Sequence, residues 1–409
     1  MKKALLKKYA SLIVNTGIRV QKGQEVVVYA DLDQPEFVTM VVDECYHAGA
    51  SKVSVEWNYQ PLTKIHVRGR KLSVLGCVEK WEEERLRHYT EIIPCRIYLI
   101  SEDPDGLRGI NLKKHAKAQQ MRYKVIKPYR DLLNDKDQWC IAAVPGAAWA
   151  KKVFPHLVRG RAIEKLWEVI LETSRVTEEG DPNQAWEEHN RDLAARCAYL
   201  NSLSIKTLEY RSKNGTNFRV GMIPQAIFKG GAEKTLQGYI CNPNIPSEEC
   251  FITPMRGEAE GIVYSTRPLS YQGQLIDGFS IRFEGGRVVE VHAEQNEELL
   301  RQMIEMDEGA AYLGECALVP YDSPIRESGI LFYNTLFDEN ATCHLALGRG
   351  FTDTIRDAEK YSLEECQAMG VNDSMIHEDF MIGSEDLEID AHTEDGRTVP
   401  IFRNGTWAF

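Results

Sequence analysis

The sequence predicts an α/β protein in which an N-terminal doubly wound α/β domain is followed by a β-rich α+β domain. Three observations lead there. At 409 residues the chain is longer than one hydrophobic core usually supports, so two domains are expected. In the first half, short apolar runs alternate with helical stretches, the pattern of crossover units on a largely parallel sheet. In the second half the pattern changes to hairpins, with turn signals at Asn214-Gly215 and Gly285-Gly286 between β-forming runs.

In chain order, Glu25 to Ala30 is an uninterrupted apolar run apart from its first residue and reads as a buried strand. A helical pattern from Phe37 to His47, a turn at Gly49 and a second strand at Lys52 to Trp57 complete the first crossover unit. Further strands are expected at Arg96 to Ile100 and Trp139 to Val144, with helices near Trp81 to Tyr89, Lys113 to Leu132 and Ile163 to Thr173. The polar stretch from Val176 to Asn183 carries Gly180 and Pro182 and is the best candidate for a linker. A helix from Gln184 to about Leu200 then leads into hairpins at Leu208–Tyr210 with Phe218–Val220 and at Ile281–Phe283 with Val288–Val291. The expected domains are therefore 1–200 and 201–409. Neither a Gly-x-Gly-x-x-Gly after the first strand nor a Walker-type Gly-Lys-Ser/Thr occurs, so the common nucleotide fingerprints of doubly wound folds are missing. Trp57 and Tyr59 are read as a core edge or interface that can also line a pocket.

A formal net charge of -12 argues against nucleic acid as partner, because phosphate-backbone affinity rests on clustered Lys and Arg. No apolar run approaches the roughly 20 residues of a membrane-spanning helix. Lys7 and Lys8 interrupt the N-terminus before a signal-type apolar core can form, so a cytoplasmic protein without a membrane partner is expected. The 10 cysteines are scattered singly from Cys45 to Cys366 with no Cys-x-x-Cys, and most read as small buried hydrophobes. Cys343 precedes His344 directly, but neighbours on a strand point to opposite faces, which disfavours a Cys-His nucleophile.

The chemistry concentrates near the C-terminus. In Ser374 to Gly383, apolar residues bracket His377 and Asp379, which on a strand project to the same side while Glu378 projects to the other. An imidazole and a carboxylate converging from one strand make half of a divalent-metal site suited to zinc, cobalt or manganese. Three further segments place acidic or imidazole groups beside apolar runs: Asn244 to Pro254 with Glu248 and Glu249, Gly314 to Pro320 with Glu315, and Asn340 to Gly348 with His344. A carboxylate such as Glu315 among apolar residues needs a counter-charge if buried, either a metal or an arginine such as Arg349 or Arg282.

These four segments, in this order, together with the opening Lys7 to Gly17 and Val20 to Gln24, resemble the M29 metallopeptidases, the thermophilic aminopeptidases T, S and PepS. The resemblance implies a two-domain protein that dimerises around an enclosed cavity, its C-terminal domain being the catalytic metallopeptidase domain. It also implies two divalent metals (zinc, cobalt or manganese, with magnesium a further option) held by Glu249, Glu315, His344, His377 and Asp379. The family's tyrosine ligand falls on Phe351, whose phenyl ring has no donor; Tyr361 is the nearest phenol that follows. Two metals in such a site would polarise a peptide carbonyl and acidify a water, and a carboxylate, Glu248 or Glu249, would carry the proton. The expected activity is release of N-terminal amino acids from short peptides. The alternatives are hydrolysis of other amides at the same two metals, or a binding homologue with weakened turnover.

Overall fold

The computed structural model describes residues 2–409. The chain divides into two compact units, Met1–His189 with Ala232–Pro246, and Asn190–Gly231 with Ser247–Phe409.

The first unit is built on a five-stranded sheet in the order Lys52–Asn58, Glu25–Asp31, Cys95–Ile100, Trp139–Ala143, Asn244–Ile245. Every pairing in it is parallel. Val26, Val27 and Val28 are all buried, which is why this strand reads as an apolar run instead of an alternation. The helices start where local chemistry dictates. Pro35 opens Pro35–His47, and Glu79 and Glu82 form a reciprocal capping box at the head of Lys80–Ile92. Asn111 accepts from the Lys114 amide at the start of Leu112–Leu133. Helix Arg159–Thr173 buries Ala162, Leu166, Val169, Ile170 and Thr173, a stripe at helical spacing, and its Trp167 closes on Phe37 with ring centroids 5.4 Å apart.

The doubly wound pattern and the strands and helices expected from the sequence are present at their expected positions. One strand was not expected. Asn244–Ile245 is only two residues long, too short for any periodic signal, and it joins the sheet edge beside Trp139–Ala143. The Ile141 amide donates to the Pro243 carbonyl at 2.7 Å, and Ile245 is fully buried. The 176–183 stretch lies in the first unit, where the Lys8 ammonium donates to the carbonyls of Thr177, Glu178 and Gly180. The chain passes into the second unit inside helix Pro182–Ser202.

The second unit holds a nine-stranded antiparallel sheet and a four-stranded antiparallel sheet. Hairpin Ile205–Arg211/Asn217–Met222 and the long strands Pro254–Tyr264, Gln274–Glu284 and Arg287–Gln295 form most of the larger one. The smaller sheet has the order Cys250–Ile252, Leu313–Leu318, His344–Gly348, His377–Met381. On one of its faces Cys316, Leu345 and Phe380 stand in register, and Phe380 packs on Phe279 of the larger sheet with centroids 5.9 Å apart. The larger sheet thus covers one face of the smaller, and the opposite face is left for polar groups.

Candidate metal centre

Strand register builds that polar face. Glu315 pairs with Ala346 and Ala317 with His344, while on the other side Ala346 pairs with Asp379 and Gly348 with His377. Residues paired across antiparallel strands share a face, so Glu315, His344, His377 and Asp379 all project from it. The middle strand contributes His344, Ala346 and Gly348, and the last two keep the centre of the face low. At Gly348 the backbone has φ +104° and a Cβ would lie 2.1 Å from the Ile376 carbonyl oxygen, so no other residue fits there. Glu249 enters from the residue just before Cys250–Ile252.

The donors converge. Glu249 Oε2 lies 3.2 Å from His344 Nε2, and His377 Nε2 lies 3.0 Å from Glu315 Oε2 and 3.4 Å from Asp379 Oδ1. Glu249, Glu315 and His344 form one triad and Glu315, His377 and Asp379 a second, in each of which the donor atoms lie within 4.8 Å of one another. Glu315 belongs to both. Both imidazoles are oriented by backbone carbonyls: Nδ1 of His344 is 3.2 Å from the Thr342 oxygen, and Nδ1 of His377 is 2.7 Å from the Arg349 oxygen. Donation from Nδ1–H leaves Nε2 directed at the carboxylates, the arrangement by which histidines are held for metal ligation.

Electrostatics point the same way. Burial, and then the charges of Glu249 and Asp379, push the Glu315 carboxyl up to about 7 despite the His377 hydrogen bond. Burial alone would lower His344, but the hydrogen bond and charge of Glu249 outweigh it and raise the imidazole to about 9. His377 is raised in the same way, burial being outweighed chiefly by Asp379. For Asp379, burial is outweighed by His377, and its carboxyl is held below the usual range. A cluster with more carboxylates than imidazoles, with histidines turned into cations and a glutamate into an acid, lacks positive charge. A nitrogen-and-oxygen donor set of this kind fits divalent metals.

Sequence reasoning missed one member. Glu339, in the short turn Glu339–Ala341, is buried, and its carboxyl is raised well above the ordinary value by burial and then by Asp379, Glu249 and Glu315. It lies one residue outside the segment chosen around His344; the acidic pair Asp338-Glu339 leading into Asn340 was the available signal. Glu248, also buried, is anchored through its amide, which donates to Asn340 Oδ1 at 2.7 Å. One alternative drawn from sequence is corrected. Arg282 does not reach Glu315, because it pairs at the surface with Glu290 at 2.8 Å and with Glu284; the partner of Glu315 is His377. Glu378 does project away from the donors, pairing with Leu347, and burial pushes it up to about 8. The Cys343 thiol donates to the Val319 carbonyl at 3.3 Å and is pushed by burial up to about 12, too high for a nucleophile. The Phe351 ring lies against His377 with centroids 4.7 Å apart, a contact in place of a ligand, and Tyr361 is exposed.

A sequence profile of the family described as thermophilic metalloprotease (M29) matches residues 2–407. Aminopeptidase AmpS of Bacillus subtilis (strain 168) is 40% identical over 405 residues, covering 99% of this chain and 98% of that protein. Aminopeptidase T of Thermus aquaticus is 37% identical over 403 residues, 98% of each. Among solved structures, wild-type AmpT from Thermus thermophilus superposes with a TM-score of 0.90 at 36% identity over 100% of both chains. A 2,5-dihydroxypyridine dioxygenase from Pseudomonas putida KT2440 gives a TM-score of 0.53 at 13% identity, a likeness of fold alone.

Proposed function

The chain belongs to the thermophilic metalloprotease family M29, and on that premise we propose that its buried donor set holds two divalent metals with Glu315 as their shared ligand. It is a metal-dependent aminopeptidase. The observation that carries the two-metal reading is the pair of donor triads with Glu315 in common. Glu249 and His344 would complete one metal site, and His377 and Asp379 the other. Zinc, cobalt or manganese suits a site that mixes imidazole and carboxylate. When bound, such metals supply the charge that polarises a peptide carbonyl and acidifies a water.

The chain's own residues then divide the work. Glu249, Glu315 and Asp379 give negative charge, and Thr342 and Arg349 carbonyls fix the two imidazoles. Glu339 belongs to neither triad yet lies beside Asp379, so it is the carboxylate to which we assign transfer of a proton to the leaving amine, with Glu248 as the alternative. Carboxylates beyond those needed for metal also attract the free ammonium of a peptide N-terminus. Short unstructured peptides are the proposed substrates, and a cytoplasmic homodimer the proposed working form; light scattering at micromolar concentration tests the latter, with a fully active monomer counting against it.

The decisive experiment is a panel of short peptides with free and acetylated N-termini. Free N-terminal amino acids are expected to be released, the activity to vanish with chelator and return with zinc, cobalt or manganese, and acetylated peptides to resist. Equal cleavage of acetylated peptides would overturn the aminopeptidase specificity. On the same panel, Glu339→Gln is expected to lower kcat by about 10²-fold with metal content unchanged. A silent Glu339→Gln beside a crippled Glu248→Gln would move the proton-carrying role to Glu248.

A further inference from the structure

We propose that a cavity in the second unit, lined by Arg267, Arg326, Tyr321 and Thr342, binds the oxyanion group of a small organic acid. Its volume is about 300 Å³, at the small end of ligand pockets and enough for a molecule of amino-acid size. All of its lining residues belong to the second unit.

Charge is the first argument. Two guanidiniums line the cavity, and among the described residues the one carboxylate at ion-pair distance is Asp338, 3.3 Å from Arg267. Arg267 also donates to the Ile330 carbonyl at 2.5 Å and is largely buried. Among the described residues Arg326 has no carboxylate within ion-pair distance; it donates to the Tyr321 hydroxyl at 2.6 Å and lies over the Tyr321 ring at 4.6 Å. Stacking on the ring orients the planar fork while leaving most of its five donors for a ligand. Burial and the neighbouring Arg326 both weaken the hold of Arg267 on its proton, and Asp338 only partly offsets them. Two neighbouring cations, of which only Arg267 has a carboxylate partner, are stabilised by a further anion.

The second argument is an unsatisfied hydroxyl. Thr342 is 1% exposed, lines the cavity, and its Oγ1 has no hydrogen-bond partner among the described residues. Leaving such a group dry costs about 1–3 kcal/mol. The room around it is built in: a Cβ on Gly383 would lie 1.8 Å from Thr342 Oγ1. A carboxylate or phosphate oxygen is the acceptor that satisfies this hydroxyl and the free guanidinium donors together, while Pro268 and Leu331 give the ligand's carbon body an apolar wall.

The test is calorimetric titration of the metal-loaded protein with two probes: N-acetyl-leucine, whose blocked amine keeps it from being a substrate, and inorganic phosphate. At least one is expected to bind, about tenfold more weakly to Arg326→Gln, with Arg326→Lys intermediate. Aminopeptidase rates without probe are expected to be unchanged in both variants. Binding of N-acetyl-leucine alone assigns a carboxylate ligand, and of phosphate alone a phosphate one. Failure of both probes, or equal affinity in wild type and Arg326→Gln, overturns the proposal, the latter because binding would then be at the metal centre.

Discussion

Replacing Glu315 with glutamine is expected to lower kcat by about 10³-fold or more, roughly 4 kcal/mol in the barrier, while raising the melting temperature of the metal-free protein. The two effects have one cause. Glu315 is the only residue in both donor triads, so its loss weakens both metal sites at once. Without metal, however, it is a buried acid beside Glu249 and Asp379, raised to about 7 by burial and then by those charges. A neutral amide of the same shape removes that repulsion and keeps a hydrogen-bonding group near His377 Nε2. Such opposition between function and stability is common where a site is built for a ligand. Metal analysis, peptide kinetics and thermal melts with chelator decide it. Full metal content with a normal rate, or a metal-free protein less stable than wild type, would sink the shared-ligand assignment.

Chelation should destabilise the protein increasingly as pH rises. Glu315 has a folded-state value near 7 against 4.5 for an unperturbed glutamate, and His344 one near 9 against 6.5. Both are raised, so each contributes stability that is complete below its unfolded value and is lost as pH climbs through its folded one. The window therefore runs from about pH 5 to pH 9, with a loss on the order of 3 kcal/mol from each of the two groups across it. Asp379 has the opposite sign, but its lowered value confines its effect to pH below about 4. Metal displaces protons from Glu315 and His344, so loaded protein should lose less stability over the same window; the loss that remains is that of Glu378, which burial raises to about 8 on the side away from the donors. Melting curves with and without chelator at several pH values check this; a metal-free melting temperature that is level or rising from pH 5 to 9 would contradict the electrostatic account.

The strands of the first unit were legible because burial on both faces demands uninterrupted apolar runs, as at Val26 to Val28, and such runs are visible without a structure. His377 and Asp379 were legible as a pair because strand geometry alone puts alternate residues on one side. What sequence lacks is register. That Ala346 lies between Glu315 and Asp379 follows only from strand pairing, and the low floor it creates with Gly348 has no signature of its own. Glu339 escaped because it stands in a single irregular turn, where neither the helical nor the strand period applies. The counter-charge of Glu315 stayed open between a metal and an arginine for the same reason: each was compatible with the sequence, and only the fold sends Arg282 to Glu290 and brings His377 to 3.0 Å.

The two-residue strand Asn244–Ile245 bears on how the protein is made. It closes the parallel sheet of the first unit, yet the ribosome delivers it only after residues 190–231 of the second unit have emerged. A nascent chain halted at residue 200 holds four strands of that sheet with the Trp139–Ala143 edge uncovered. An open edge of this kind is a template for pairing with other chains. Synthesis must therefore run past residue 246 before the first unit is complete, and the order of folding does not follow the order of translation.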